Sequence, residues 1–113
     1  MAGGRSYGGR VASLAASQAG YGGLVLISYP LHPPGRPEAA TQRTAHWPQI
    51  RCPVLVLAGD ADPFARAPLL RDAVKRLPTA ELVMYPGGRH GLMAELDDLA
   101  CRISDFVADV SRR

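Results

Sequence analysis

The sequence predicts an α/β domain of three layers (αβα), with helices on both faces of a parallel sheet. Three observations carry this reading. Short apolar runs at residues 24–29, 53–58 and 81–85 lack helical periodicity, as strands buried on both faces do. Helical patterns alternate with these runs, and turns rich in glycine or proline separate them. At 113 residues the chain makes a single domain, residues 1–113, and a core of useful size requires most apolar positions to face one another.

In chain order, Val11, Ala12, Leu14, Ala15, Ala16 and Ala19 fit a short helix over residues 8–19, whose small side chains allow close approach to a sheet. Gly20 ends it. The run 24–29 lies between Gly22-Gly23 and Pro30 and reads as a buried strand. Residues 30–49 are proline-rich and contain His32, His46 and the only tryptophan, Trp47, which predicts a loop excursion. The second strand stops at Gly59-Asp60-Ala61-Asp62-Pro63, a turn sequence with acids at the strand's carboxyl end. A helix over about 67–77 follows, with Pro68 in its first turn, an apolar stripe of Leu69, Leu70, Ala73 and Leu77, and Pro78 beyond. After the third strand, Pro86-Gly87-Gly88-Arg89-His90-Gly91 leads into a final helix. Its Leu96, Leu99, Ala100, Ile103, Phe106, Val107 and Val110 recur at helical spacing. The acidic start (Glu95, Asp97, Asp98) and basic end (Arg112, Arg113) of that helix match its dipole. In such a fold, function belongs at the carboxyl ends of the strands.

Composition narrows the classes. Apolar residues at 47% and charged residues at 20% describe a globular chain rather than a disordered one. The net charge of +3 comes from arginines scattered from Arg5 to Arg113, with no basic stripe to hold nucleic acid. Cys52 and Cys101 are far apart and show no metal spacing, so they read as buried free thiols. Strongly apolar stretches such as residues 24–27 are far short of a membrane span, and the default compartment is the cytoplasm. Three dispersed histidines give no metal site. The only lysine, Lys75, lies in a helix, and Gly20-Tyr21-Gly22-Gly23 precedes a strand, which rules out phosphate-loop and dinucleotide fingerprints.

The chemistry sits elsewhere. Gly4-Arg5-Ser6-Tyr7-Gly8 is a G-x-S-x-G followed by a helix, a turn that makes the serine project between strand and helix. Side-chain bulk at Gly4 or Gly8 is expected to clash there. Ser6 Oγ could attack an acyl carbon, and the backbone N–H of Tyr7 would help hold the oxyanion. The following strand ends deliver Asp60 or Asp62 and then His90. The order Ser, Asp, His, each after a strand of one parallel sheet, fits a nucleophile, an orienting acid and a base. His32 and His46 suit structural or substrate-facing roles, and Arg5 reads as a surface charge.

Ser6-Tyr7-Gly8-Gly9-Arg10-Val11-Ala12-Ser13, Ser28-Tyr29-Pro30-Leu31-His32-Pro33-Pro34-Gly35 and Cys52-Pro53-Val54 through Asp62-Pro63-Phe64 resemble the dienelactone-hydrolase-like α/β-hydrolases. More narrowly, they are similar to small hydrolase-like proteins related to a regulatory subunit of the NSL histone acetyltransferase complex. The resemblance implies a serine hydrolase acting on a small acyl ester or related bond without metal or organic cofactor. It gives Ser6, Asp62 and His90 the roles of nucleophile, acid and base, with Asp62 preferred over Asp60 because the acid falls third after the glycine and before proline. It also implies that the chain corresponds to the carboxyl-terminal half of the fold. The family's first strands, and the loop supplying a second oxyanion N–H, have no counterpart here beyond residues 1–4. Strand 24–29 is then expected to be an exposed apolar edge, open to self-association or to a complementing chain. The alternative is a non-catalytic interaction or scaffold protein that keeps the serine turn, and a small-molecule binding module ranks third.

Overall fold

Branched and straight apolar side chains fill the strands, and their alternation sends successive residues to opposite faces. The computed structural model describes residues 1–112. It contains β1 (Ala2–Arg5), α1 (Tyr7–Gln18), β2 (Leu24–Ile27), α2 (Ala40–Arg43), β3 (Val54–Gly59), α3 (Ala67–Val74), β4 (Ala80–Tyr85) and α4 (Leu96–Ser111). The sheet has the order β1-β2-β3-β4 and every pairing is parallel. Leu24, Leu26, Val54 and Val56 point to the face covered by α1, α3 and the 30–50 segment. Val25, Leu55 and Leu57 point to the other face, covered by Leu99 and Phe106 of α4. This is the three-layer arrangement that the alternating pattern predicts. Each fully buried leucine contributes roughly 1.5–3 kcal/mol, which is why β3, buried along its whole length, anchors the sheet.

Several expectations are corrected. Strand 24–29 is not an edge: β1 pairs with it, Ala2 with Leu24 and Arg5 with Ile27, so the open edge moves to β1. The strand also stops at Ile27, because Ser28 adopts φ 53°. The helix predicted to reach residue 77 ends its α-helical span at Val74. Its last turn tightens to i→i−3 bonds from Lys75, Arg76 and Leu77, consistent with Pro78 blocking continuation. The 30–49 excursion contains helical turns, including α2, and buries Leu31, His32 and Trp47. Trp47 meets Tyr29 edge-on, with ring centroids 5.0 Å apart, and Tyr29 Oη donates to the Arg43 carbonyl at 2.6 Å. Packing of aromatic rings thus orders a segment whose prolines signal only a loop.

Cys101 is exposed and Cys52 half-buried, because Cys101 lies off the Leu99–Phe106 face that α4 buries. Leu96 and Val107 of the predicted α4 stripe are also exposed. Asp97 and Asp98 occupy the first turn of α4 and Arg112 caps its end, while Arg113 lies outside the described residues. Among the described residues no helix is long and apolar enough to cross a membrane.

Candidate active site

Parallel pairing in register sets Arg5 and Ile27, the last residues of β1 and β2, level with Leu57, two residues before β3 ends at Gly59. The chain leaves β1 through Ser6 at φ 53° and ψ −124° and enters α1 at once. A non-glycine residue held in such a region costs about 1–3 kcal/mol. Its backbone is secured on both sides: the N–H donates to the Ile27 carbonyl at 2.7 Å, and the carbonyl accepts from Gly9 N–H at 2.9 Å.

The glycine requirement falls on Gly4, as expected, but on Gly9 in place of Gly8. A Cβ on Gly4 would lie 2.3 Å from the Gly8 carbonyl carbon, and one on Gly9 would lie 3.0 Å from the Gly4 carbonyl oxygen. A Cβ on Gly8 would meet nothing within 4 Å. Gly8 faces solvent, and it is Gly9 that packs against the strand.

Ser6 Oγ lies 2.7 Å from Nε2 of His90. His90 Nδ1 lies 2.7 Å from Oδ2 of Asp62, whose side chain is fully buried while that of His90 is 27% exposed. Asp62 Oδ1 accepts the Phe64 N–H at 2.8 Å, so both carboxylate oxygens are engaged. An ionised carboxylate only accepts, which puts the imidazole proton on Nδ1 and leaves Nε2 to accept from the serine hydroxyl. The Phe64 ring covers the imidazole with centroids 4.6 Å apart.

Asp60, the other candidate acid, is engaged elsewhere. Its Oδ1 accepts the Gly87 N–H at 2.6 Å, tying the turn after β3 to the loop after β4. The two backbones touch at Gly59 and Gly88, where a Cβ on Gly59 would fall 2.1 Å from the Gly88 carbonyl oxygen. Only glycine permits that approach.

As the first helical residue, Tyr7 has a backbone N–H without an intrahelical acceptor, next to Ser6 Oγ, while its ring is 66% exposed. Arg5 is exposed, and its guanidinium donates to the Gly91 carbonyl. His32 and His46 stand apart from the serine. His32 Nε2 accepts the Arg66 N–H at 3.1 Å, and His46 Nε2 lies 2.7 Å from Ser13 Oγ. Burial, and then the Arg10 guanidinium, hold the His46 imidazole below its ordinary value. Among the described residues no group of three His, Cys, Asp or Glu side chains is placed to hold a metal ion.

The sequence reading missed three contacts on the histidine loop: the Phe64 stack, the Arg5 bond to Gly91, and a bond from Ser28 Oγ to the His90 carbonyl. A polar residue closing the buried run 24–27, level with Ser6, is the one signal that could have exposed the last.

A parallel αβα sheet that gathers a serine in a strained turn, a histidine and a buried aspartate at its strand ends defines the α/β-hydrolase class of architecture. A family model described as "Alpha/beta hydrolase domain" matches residues 1–100, and the chain belongs to that family. No curated protein matches it. Among solved structures, Est1E from Butyrivibrio proteoclasticus with ferulic acid bound is similar at a TM-score of 0.82 and 20% identity, over 98% of this chain and 59% of that one. The Pyrococcus furiosus esterase Pf2001 gives a TM-score of 0.78 at 15% identity, over 95% and 52% of the two chains. Dienelactone hydrolase from Anabaena variabilis gives 0.63 at 26% identity, over 87% and 44%. The chain therefore spans about three-fifths or less of the length of these structures.

Proposed function

We propose that this chain carries the catalytic triad of a serine hydrolase that cleaves a small acyl ester or related bond, with Ser6 as nucleophile, His90 as base and Asp62 as acid. The observation that carries the reading is the continuous contact from Ser6 Oγ through both His90 nitrogens to a buried carboxylate, each step 2.7 Å long. Ser6 Oγ bonds to the acyl carbon as its proton passes to His90 Nε2, and Asp62 stabilises the imidazolium. The alcohol leaves with that proton. Water then attacks the acyl-serine, giving its proton to His90, and the acid departs as the proton returns to Ser6. The Tyr7 N–H supplies one oxyanion donor.

Membership of the hydrolase family and likeness to a dienelactone hydrolase support ester-type chemistry. The exposed Tyr7 ring and the half-buried Phe64 beside His90 suit an apolar acyl or alcohol group. No metal or organic cofactor enters this scheme. The narrower kinship with proteins related to the NSL regulatory subunit, a cytoplasmic place of action and correspondence to the carboxyl-terminal half of the fold belong to the same reading. Ester turnover by wild type and by Ser6→Ala tests it: turnover that persists in Ser6→Ala excludes Ser6 as the nucleophile.

One observation favours a second reading, an interaction protein. Beside the open β1 edge stand exposed Met1 and Val107, and α1, which packs on β1, exposes Tyr7, Val11 and Leu14. Such a surface suits a second copy or a complementing chain. That reading predicts concentration-dependent assembly in sedimentation, together with absence of ester turnover.

A further inference from the structure

Ser28 is the buried residue of the site that the catalytic scheme does not use. It has no exposed surface, and its φ of 53° is a conformation that favours glycine. A serine kept there suggests that its hydroxyl serves a purpose. The hydroxyl donates to the backbone carbonyl of His90 at 2.5 Å. The Ser28 N–H donates to the Leu57 carbonyl at 2.8 Å, and the preceding Ile27 carbonyl accepts the N–H of Ser6 at 2.7 Å. Ile27 at the end of β2 and Ser28 just after it thus touch the backbone of the nucleophile, β3 before the turn that carries the acid, and the backbone of the base.

From this geometry we infer that Ser28 is a positioning residue for the proposed reaction. Its hydroxyl fixes the height of the His90 backbone so that Nε2 meets Ser6 and Nδ1 meets Asp62 together. The β4 end of the loop is tied separately, by Asp60 to Gly87, and Arg5 holds the Gly91 carbonyl from the exposed side. Of these three ties, that of Ser28 is the one made to His90 itself. Without it the loop keeps its flanking anchors, to which the Ala61 N–H adds a bond to the Gly88 carbonyl, while the His90 carbonyl loses its side-chain donor. A small misplacement of a catalytic group costs about a hundredfold in rate, although Ser28 touches no reacting atom.

The inference rests on the serine-hydrolase reading for its functional consequence, and its test separates the two. Ser28→Gly removes the hydroxyl and suits the backbone dihedral; Ser28→Ala removes the hydroxyl and keeps the strain. Labelling of Ser6 by an activated phosphonate, thermal unfolding and the downfield imidazole N–H proton resonance of His90 are measured for wild type and both variants. Expected are a Tm for Ser28→Gly at or above wild type, labelling slowed about ten- to a hundredfold in both variants, and a His90 N–H resonance broadened or lost in both. A folded Ser28→Gly or Ser28→Ala that labels at the wild-type rate with the resonance intact overturns the inference. If wild type itself takes no label, the hydrolase reading fails, and the resonance alone decides: its loss in either folded variant supports the positioning role, and its persistence overturns it.

Discussion

Asp62 holds His90 with one carboxylate oxygen, at 2.7 Å from Nδ1, and the Phe64 N–H with the other, at 2.8 Å. The same side chain therefore orients the imidazole and fixes the residue whose ring covers it. An acid placed this way has no freedom to turn from the histidine, unlike Asp60, whose carboxylate serves the Gly87 N–H.

Asp62→Asn is accordingly expected to lower ester turnover about ten-thousandfold, because the amide favours the wrong imidazole tautomer. Asp60→Asn keeps an oxygen to accept the Gly87 N–H and should stay near wild type. Steady-state kinetics on the two variants check this; comparable losses in both would remove the distinction between the acids.

The serine turn predicts opposite effects at two glycines. Gly4→Ala drives a methyl into the backbone at Gly8, 2.3 Å away, and should destabilise by about 1–3 kcal/mol. Gly8→Ala meets no atom within 4 Å and should gain up to about 1 kcal/mol from helix propensity. Denaturant unfolding reads both changes, and a tolerated Gly4→Ala would contradict the packing described here.

The pH dependence follows from His46, whose imidazole is held below its ordinary 6.5 by burial first and the Arg10 charge second. The unfolded chain then binds more protons at this site than the folded one, so stability rises with pH. The contribution is present above about pH 6.5 and is lost as pH falls through the folded value. His46→Asn should flatten that part of a plot of Tm against pH between 8 and 5; an unchanged slope assigns it to other groups.

Much of this was legible in the residues. The apolar runs and the turns between them indicate β2, β3, β4 and the parallel sheet, and the G-x-S-x-G with an acid and a histidine after later strands indicates Ser6, His90 and either Asp60 or Asp62, the family resemblance alone preferring Asp62. Less visible was β1: Ala2-Gly3-Gly4-Arg5 has almost no strand propensity and forms only because Leu24–Ile27 offers it a partner. The clash expected at Gly8 falls at Gly9 instead, since the motif's spacing does not reveal which helical glycine faces the strand. Ser28 was hidden because a positive φ in a serine has no sequence pattern; neighbouring backbone imposes it.

The most direct test is mass-spectrometric mapping of an activated phosphonate on the folded wild-type chain, with Ser6→Ala and His90→Ala in parallel. A single adduct on Ser6, absent from Ser6→Ala and formed far more slowly in His90→Ala, is the predicted result. A folded wild type that takes no adduct, or takes it elsewhere, would contradict the assignment of Ser6 and His90 as a working nucleophile and base.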